Sequence, residues 1–228
     1  MTRNQRKWIA ASFAVAAMFV AGCGATARSV PAVTRTGAPM SPAEVAKADG
    51  GHAPYTRADV TFLSGMIGHH AQAVLMAGWA PTHGASESVS ILAARIDVAQ
   101  RDEIQFMQRW LRDRREAVPD ADPTKPIAGH DMTSMPGMDI GLAPGMLSPA
   151  QMAQLDAARG VDFDRLFLTF MIQHHTGALT MVNALFGSPG AGNEGYVFRF
   201  ASDVEADQMT EIDRMQKMLV PITSKDPK

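Results

Sequence analysis

Two pairs of adjacent histidines, His69-His70 and His174-His175, are the side chains of this sequence best suited to chemistry. Each pair has a methionine three residues before its first histidine, Met66 and Met171, and another seven residues after it, Met76 and Met181. On a helix, residues four or seven apart share a face, so Met66 lies with His70 and His69 with Met76. A second pattern follows each pair. Gln100-x-x-Glu103-Ile104-x-x-Met107 and Gln208-x-x-Glu211-Ile212-x-x-Met215 turn the same residue types to one side of their own helices. Imidazole and thioether without thiolate form a soft-to-borderline donor set, which suits copper, Cu(I) more than Cu(II), better than Ca²⁺ or Mg²⁺. A lone Met at helical spacing usually fills a core, and a lone His on an apolar arc is usually structural. Adjacent histidines repeated with the same flanking methionines argue for metal ligands instead. Glu103 and Glu211 stay open between ligand, partner orienting a histidine and surface charge. A further motif, His130-x-Met132-x-x-Met135-x-x-Met138, sits among Gly, Pro and Asp. It has no packing reason to hold three methionines, and reads either as a loop that captures a soft ion or as a connector. His52 and His83 stand alone and are not candidates.

The elements that must position these residues are helical. The periodicity predicts a helix over about 57–79, with Thr56 as N-cap and Asp59 closing a capping box, ended by Pro81 and Gly84. A second runs from about Glu87, behind Ser86, to about Arg115, where Pro119, Pro123 and Pro126 forbid more. Ser148-Pro149-Ala150-Gln151 starts a short helix to about Ala158. Two long helices follow, from just after Asp162 to about Phe186 and from about Glu194 to Leu219. No convincing period-2 strand appears. The segment from Asp59 to Met76 aligns with Asp164 to Met181 at a constant offset of 105, and the Gln-x-x-Glu-Ile-x-x-Met pattern repeats at an offset of 108. The chain therefore reads as a duplicated helical hairpin: an all-α, four-helix bundle of residues 55–220, with halves 55–116 and 160–220 and a long crossover, 117–159.

The remaining sequence speaks to place rather than chemistry. Arg3, Arg6 and Lys7 precede an apolar run, Trp8 to Val20, too short to span a bilayer in the ordinary way. Small residues and Cys23 follow, so residues 1–23 read as an export signal. Val20-Ala21-Gly22-Cys23 resembles the bacterial lipobox, whose cysteine carries a lipid anchor to the membrane of the cell envelope, facing the periplasm or the exterior. Cys23 is the one cysteine of 228 residues, so its lipidation leaves no thiol for disulfides or thiolate chemistry. Residues 24–54, rich in Ala, Gly, Pro, Ser and Thr, read as a flexible tether. A formal net charge of -2 gives no electrostatic footprint for nucleic acid.

Phe62-Leu63-x-x-Met66-Ile67-x-His69-His70-x-x-Ala73, followed by Gln100-x-x-Glu103-Ile104-x-x-Met107-x-x-Trp110-Leu111, resembles the domain of unknown function 305 (DUF305) family across residues 55–220. That resemblance implies a ferritin-like bundle and an exported protein, like those members that bind copper or silver and support metal tolerance. It points to His69, His70, His174 and His175, with Met66, Met76, Met171 and Met181, as ligands. The chain departs from internal symmetry where Trp110 becomes Met218 and where the second hairpin's loop is rich in glycine. The reading is therefore a non-enzymatic envelope protein that sequesters or hands on copper, with a homodimer or a copper-accepting protein left open as partner. The alternatives are a ferritin-like metal-dependent oxidase, which the absence of a Glu-x-x-His motif disfavours, and a metal-free scaffold, for which the His and Met arcs are only core.

Overall fold

The computed structural model describes residues 53–122 and 142–223. Helix α1 spans Arg57–Trp79 and begins at the reciprocal cap read from the sequence. The Thr56 hydroxyl accepts the Asp59 N–H at 3.3 Å, and the Asp59 carboxylate accepts the Thr56 N–H at 2.7 Å, so two donors that a helix start leaves unpaired are satisfied. Helix α2, Glu87–Asp113, starts behind Ser86, whose Oγ accepts the Val89 N–H. It stops two residues short of the expected Arg115. Arg115 takes a left-handed φ of 57°, and the Glu116 N–H closes back on the Leu111 carbonyl at 2.9 Å. The short helix α3, Pro149–Ala157, has its own capping box between Ser148 and Gln151. Helix α4 covers Val161–Gly187 and α5 covers Gly195–Thr223, the latter running past the expected end at Leu219 with Pro221 in its last turn. No strand occurs among the described residues, and none of their helices is long and apolar enough to cross a membrane.

The helices pack as two hairpins, α1 with α2 and α4 with α5, joined mainly through α1 against α4. One apolar cluster gathers the first half of α1, the last turns of α2, the end of α4 and the start of α5. The other gathers the opposite ends of the same four helices. The hairpins thus run antiparallel, related by an approximate two-fold axis through the middle of the bundle. The repeated aspartates act as clasps at its two ends. Asp59 accepts the Gly192 N–H from the turn of the second hairpin at 2.7 Å, while Asp164 accepts the Ser86 N–H from the turn of the first at 3.1 Å.

The crossover breaks this symmetry, and the repeat diverges where it lies. Gln72 and Gly177 are equivalent positions. The Gln72 amide both accepts the Leu147 N–H at 2.7 Å and donates to the Leu147 carbonyl at 3.0 Å, fixing the crossover to α1. On the α4 side the backbone at Pro144 and Gly145 presses against Gly177. A Cβ there would meet the Pro144 carbonyl and stand 2.6 Å from the Gly145 Cα. Gly177→Ala is therefore expected to cost about 1–3 kcal/mol through overpacking, despite the helix propensity that alanine adds. Gly78→Ala, whose Cβ meets nothing within 4 Å, is expected to gain up to about 1 kcal/mol. Urea midpoints of the two variants compare them directly, and equal stabilisation by both would mean that the crossover does not rest on α4.

The exchange of Trp110 for Met218 has a local cause as well. The Trp110 Nε1–H donates to Glu194 at 3.1 Å, the Arg114 guanidinium lies 4.0 Å from the indole centroid, and Tyr55 meets the ring edge-on. Glu194 also accepts the Tyr196 and Val197 N–H groups, so one buried carboxylate caps α5 and pairs with Arg114. His83 is a structural residue. Its ring is buried against Trp79 and Phe163, and its Nε2 lies 2.9 Å from the Asp156 carbonyl, tying the first hairpin's turn to α3.

Candidate metal centre

The four paired histidines meet at the middle of the bundle, and all four are fully buried. His69 and His174 face each other across the α1–α4 contact with ring centroids 3.8 Å apart. His174 Nε2 lies 2.9 Å from the His69 carbonyl, and His69 Nε2 lies 3.0 Å from the Pro144 carbonyl of the crossover. The outer pair turns toward the second helix of each hairpin. His175 Nε2 is hydrogen-bonded to Glu211 Oε2 at 2.7 Å. His70 Nε2 lies 2.7 Å from Glu103 Oε2, close but without the alignment of a good hydrogen bond. Both glutamates are partly open to solvent, with side chains 20% and 23% exposed, so they mark the outer edge of the centre.

Every one of the four rings has the same unmet need. Nδ1 of His69, His70, His174 and His175 is buried with no hydrogen-bond partner. Burial, reinforced by His70, pushes the His69 ring down to about 3, and burial together with His69 pushes His174 well below the usual histidine range. Both central rings are therefore neutral at neutral pH and carry one free lone pair each. An unpartnered buried polar atom costs about 1–3 kcal/mol, and four of them in one layer form a strained arrangement that an electrophile would relieve. Among the described residues, no three His, Asp or Glu side chains converge to hold an ion by themselves. A centre here would need the thioethers.

The six helical methionine candidates are all buried and sort by end. Met66, Met107 and Met181 lie in one apolar cluster, Met76, Met171 and Met215 in the other. Met66 pairs with Met171 in the repeat, Met107 with Met215 and Met76 with Met181. Each end thus holds two thioethers from one hairpin and one from the other, with the histidine layer between. His130, Met132, Met135, Met138 and Cys23 lie outside the described residues. The periodicity did not single out Pro144 and Gln72, which hold the crossover at the centre, or Asp207. Burial pushes the Asp207 carboxyl up, and Glu103, Glu211 and Asp203 push it the same way, so acids of α2 and α5 crowd the outer edge of the histidine layer. Gln100 and Gln208, equivalent in the two halves, are buried with unpartnered amide atoms.

The family model described as a domain of unknown function, DUF305, matches residues 59–219. No curated protein matches the chain. Among solved structures, a DUF305 protein of Streptomyces coelicolor taken to be secreted aligns at a TM-score of 0.62 and 28% identity, over 75% of this chain and 97% of its own. A DUF305 fragment from Deinococcus radiodurans aligns at 0.59 and 27% identity, over 74% and 99%. CopM in its Cu(II)-bound form aligns at 0.54 and 25% identity, over 72% and 96%. CopM has also been solved with Cu(I) and with silver.

Proposed function

The chain belongs to the DUF305 family, and on that premise we propose that it binds copper, with silver as a second soft ion, and sequesters it or hands it on at the cell envelope in support of metal tolerance. The observation that carries this reading is the layer of four buried imidazoles, each with an unpartnered Nδ1, set between two buried methionine trios. A core built only for packing has no use for four such nitrogens, which apolar residues would replace at no loss. The likeness to CopM in its Cu(II)-bound form supports the same ligand class. Thioether donors favour Cu(I) over Cu(II), and the approximate two-fold repetition gives two equivalent sets of donors, hence an expected capacity of two ions. In this reading residues 1–23 direct export, Cys23 carries the lipid, residues 24–54 tether the bundle, and the loop motif His130-x-Met132-x-x-Met135-x-x-Met138 offers a first, weaker capture point. Glu103 and Glu211 lie beside the ligand rings, and the protein acts by binding rather than by catalysis.

The test is equilibrium dialysis against Cu(I) under reducing conditions, with bound metal counted. The comparison is a variant carrying His69→Gln, His70→Gln, His174→Gln and His175→Gln. Glutamine keeps an N–H donor for the groups now facing Nε2 but offers no ring lone pair, and circular dichroism checks that the helices persist. Two ions bound by the natural chain and none held tightly by the folded variant is the expected result. Equal uptake by both would remove the histidines from the site, and no uptake by either would leave a metal-free scaffold.

A further inference from the structure

We propose that Glu103 and Glu211 are positioning residues rather than ligands: each takes the Nε2–H of the histidine beside it and so leaves Nδ1 of His70 and His175 as the nitrogen that takes the ion. The proposal rests on the copper-binding reading above and assigns which ring atom serves it. A neutral imidazole has one N–H and one lone pair, and a carboxylate or carbonyl oxygen can only accept. Three Nε2 atoms are hydrogen-bonded to such an oxygen, the Pro144 carbonyl for His69, the His69 carbonyl for His174 and Glu211 for His175, and the fourth, of His70, lies 2.7 Å from Glu103 Oε2, out of alignment for a hydrogen bond. The Nε2 contacts of His69, His174 and His175 place the ring proton of the neutral imidazole on Nε2 and the lone pair on Nδ1, and the equivalent position of Glu103 assigns the same tautomer to His70, whose two ring nitrogens are both unpartnered until Glu103 aligns with Nε2. Metal-binding histidines regularly hold their second nitrogen against a carboxylate or carbonyl in this way, which fixes the tautomer and the ring plane. The inner rings use backbone oxygens of α1 and the crossover. The outer rings reach no backbone acceptor and use a glutamate, placed at the same position of both repeats.

Nitrogen-15 spectra of the intact chain labelled at histidine read the tautomer before any metal is added, because Nδ1 and Nε2 couple differently to the ring protons. The expected apo spectrum has protonated Nε2 and bare Nδ1 for His70 and His175. Silver(I), diamagnetic and stable to oxidation, should then shift the Nδ1 resonances and leave Nε2 protonated. Glu103→Gln with Glu211→Gln keeps an acceptor oxygen and should hold the silver dissociation constant within about threefold, whereas Glu103→Leu with Glu211→Leu should weaken it about 10–100-fold. An apo spectrum with protonated Nδ1, or a Gln pair as weak as the Leu pair while the natural chain binds silver, overturns the positioning role alone. No silver uptake by the natural chain overturns the copper-binding reading, and the positioning role with it.

Discussion

Lowering the pH from 7 to 4 should strip the metal-free protein of a large part of its stability, about 3 kcal/mol through His69 alone. In the unfolded chain this ring takes a proton as pH falls through the ordinary histidine value of 6.5, whereas in the folded bundle it holds none until about 3. The unfolded state therefore binds more protons throughout that window, and stability must fall as pH falls, levelling only below about 3. His174 is displaced in the same direction by the same burial, with His69 adding to it, so the loss exceeds that of a single ring, though two rings 3.8 Å apart do not add independently. Asp59 and Asp207, whose carboxyls burial pushes up, act with the opposite sign and soften the decline at its acid end. Against a total of about 5–15 kcal/mol for a domain, the change is large enough to read as a shift of the urea midpoint between pH 7 and pH 4. His69→Gln with His174→Gln removes the titrating rings while retaining N–H donors, and its midpoint should be much flatter with pH. A decline equally steep in that variant would place the acid sensitivity elsewhere.

That sensitivity was only half legible in the chain. The repeat at offsets of 105 and 108 carries the architecture, because two amphipathic hairpins with matched apolar faces have few ways to bury them other than against each other. The capping box at Thr56 and Asp59 fixes the start of α1 to the residue, since its chemistry is local. The same periodicity puts the histidine pairs and the Gln-x-x-Glu residues on facing arcs, which is why Glu103 and Glu211 could be named without their roles being decided. Their roles depend on which ring nitrogen they meet, a fact of side-chain geometry across helices that spacing along one helix does not contain. Pro144 is further out of reach. It sits in a crossover with no periodicity, and its carbonyl matters only because Gln72 clamps Leu147 and Gly177 leaves room on α4. One signal was present in the sequence: the repeat fails at Gln72 against Gly177, where the two copies meet different sides of one strap. Asp59 and Asp164, which open the two copies of the repeat, are clasps to opposite turns, a role across the bundle that the capping box at Asp59 does not contain.

Saturating silver(I) should raise the melting temperature by about 8–16 °C, and the rise should survive at pH 5. Metal held only by the folded state stabilises it by about 4 kcal/mol at a thousandfold excess over the dissociation constant, and about 2–4 °C accompany each kcal/mol in a chain of this size. At pH 5 an exposed imidazole ligand would lose about 2 kcal/mol of affinity to protons, 1.5 units below its ordinary value of 6.5. His69, kept free of protons down to about 3 by burial, does not meet that competition, and neither does His174. The unfolded chain does: its histidines are protonated at pH 5 and bind silver less well, which lessens the competing stabilisation of the unfolded state. The part of the shift that the central pair carries should therefore be at least as large at pH 5 as at pH 7, although the metal-free baseline is lower. Scanning calorimetry at both pH values, with silver and without, separates the two effects. A shift that vanishes at pH 5 would mean that the ligating rings titrate as exposed ones, and the central pair His69 and His174 would not be among them. A shift that persists in the variant with all four paired histidines replaced by glutamine would give the methionines the ion and leave the histidine layer without it.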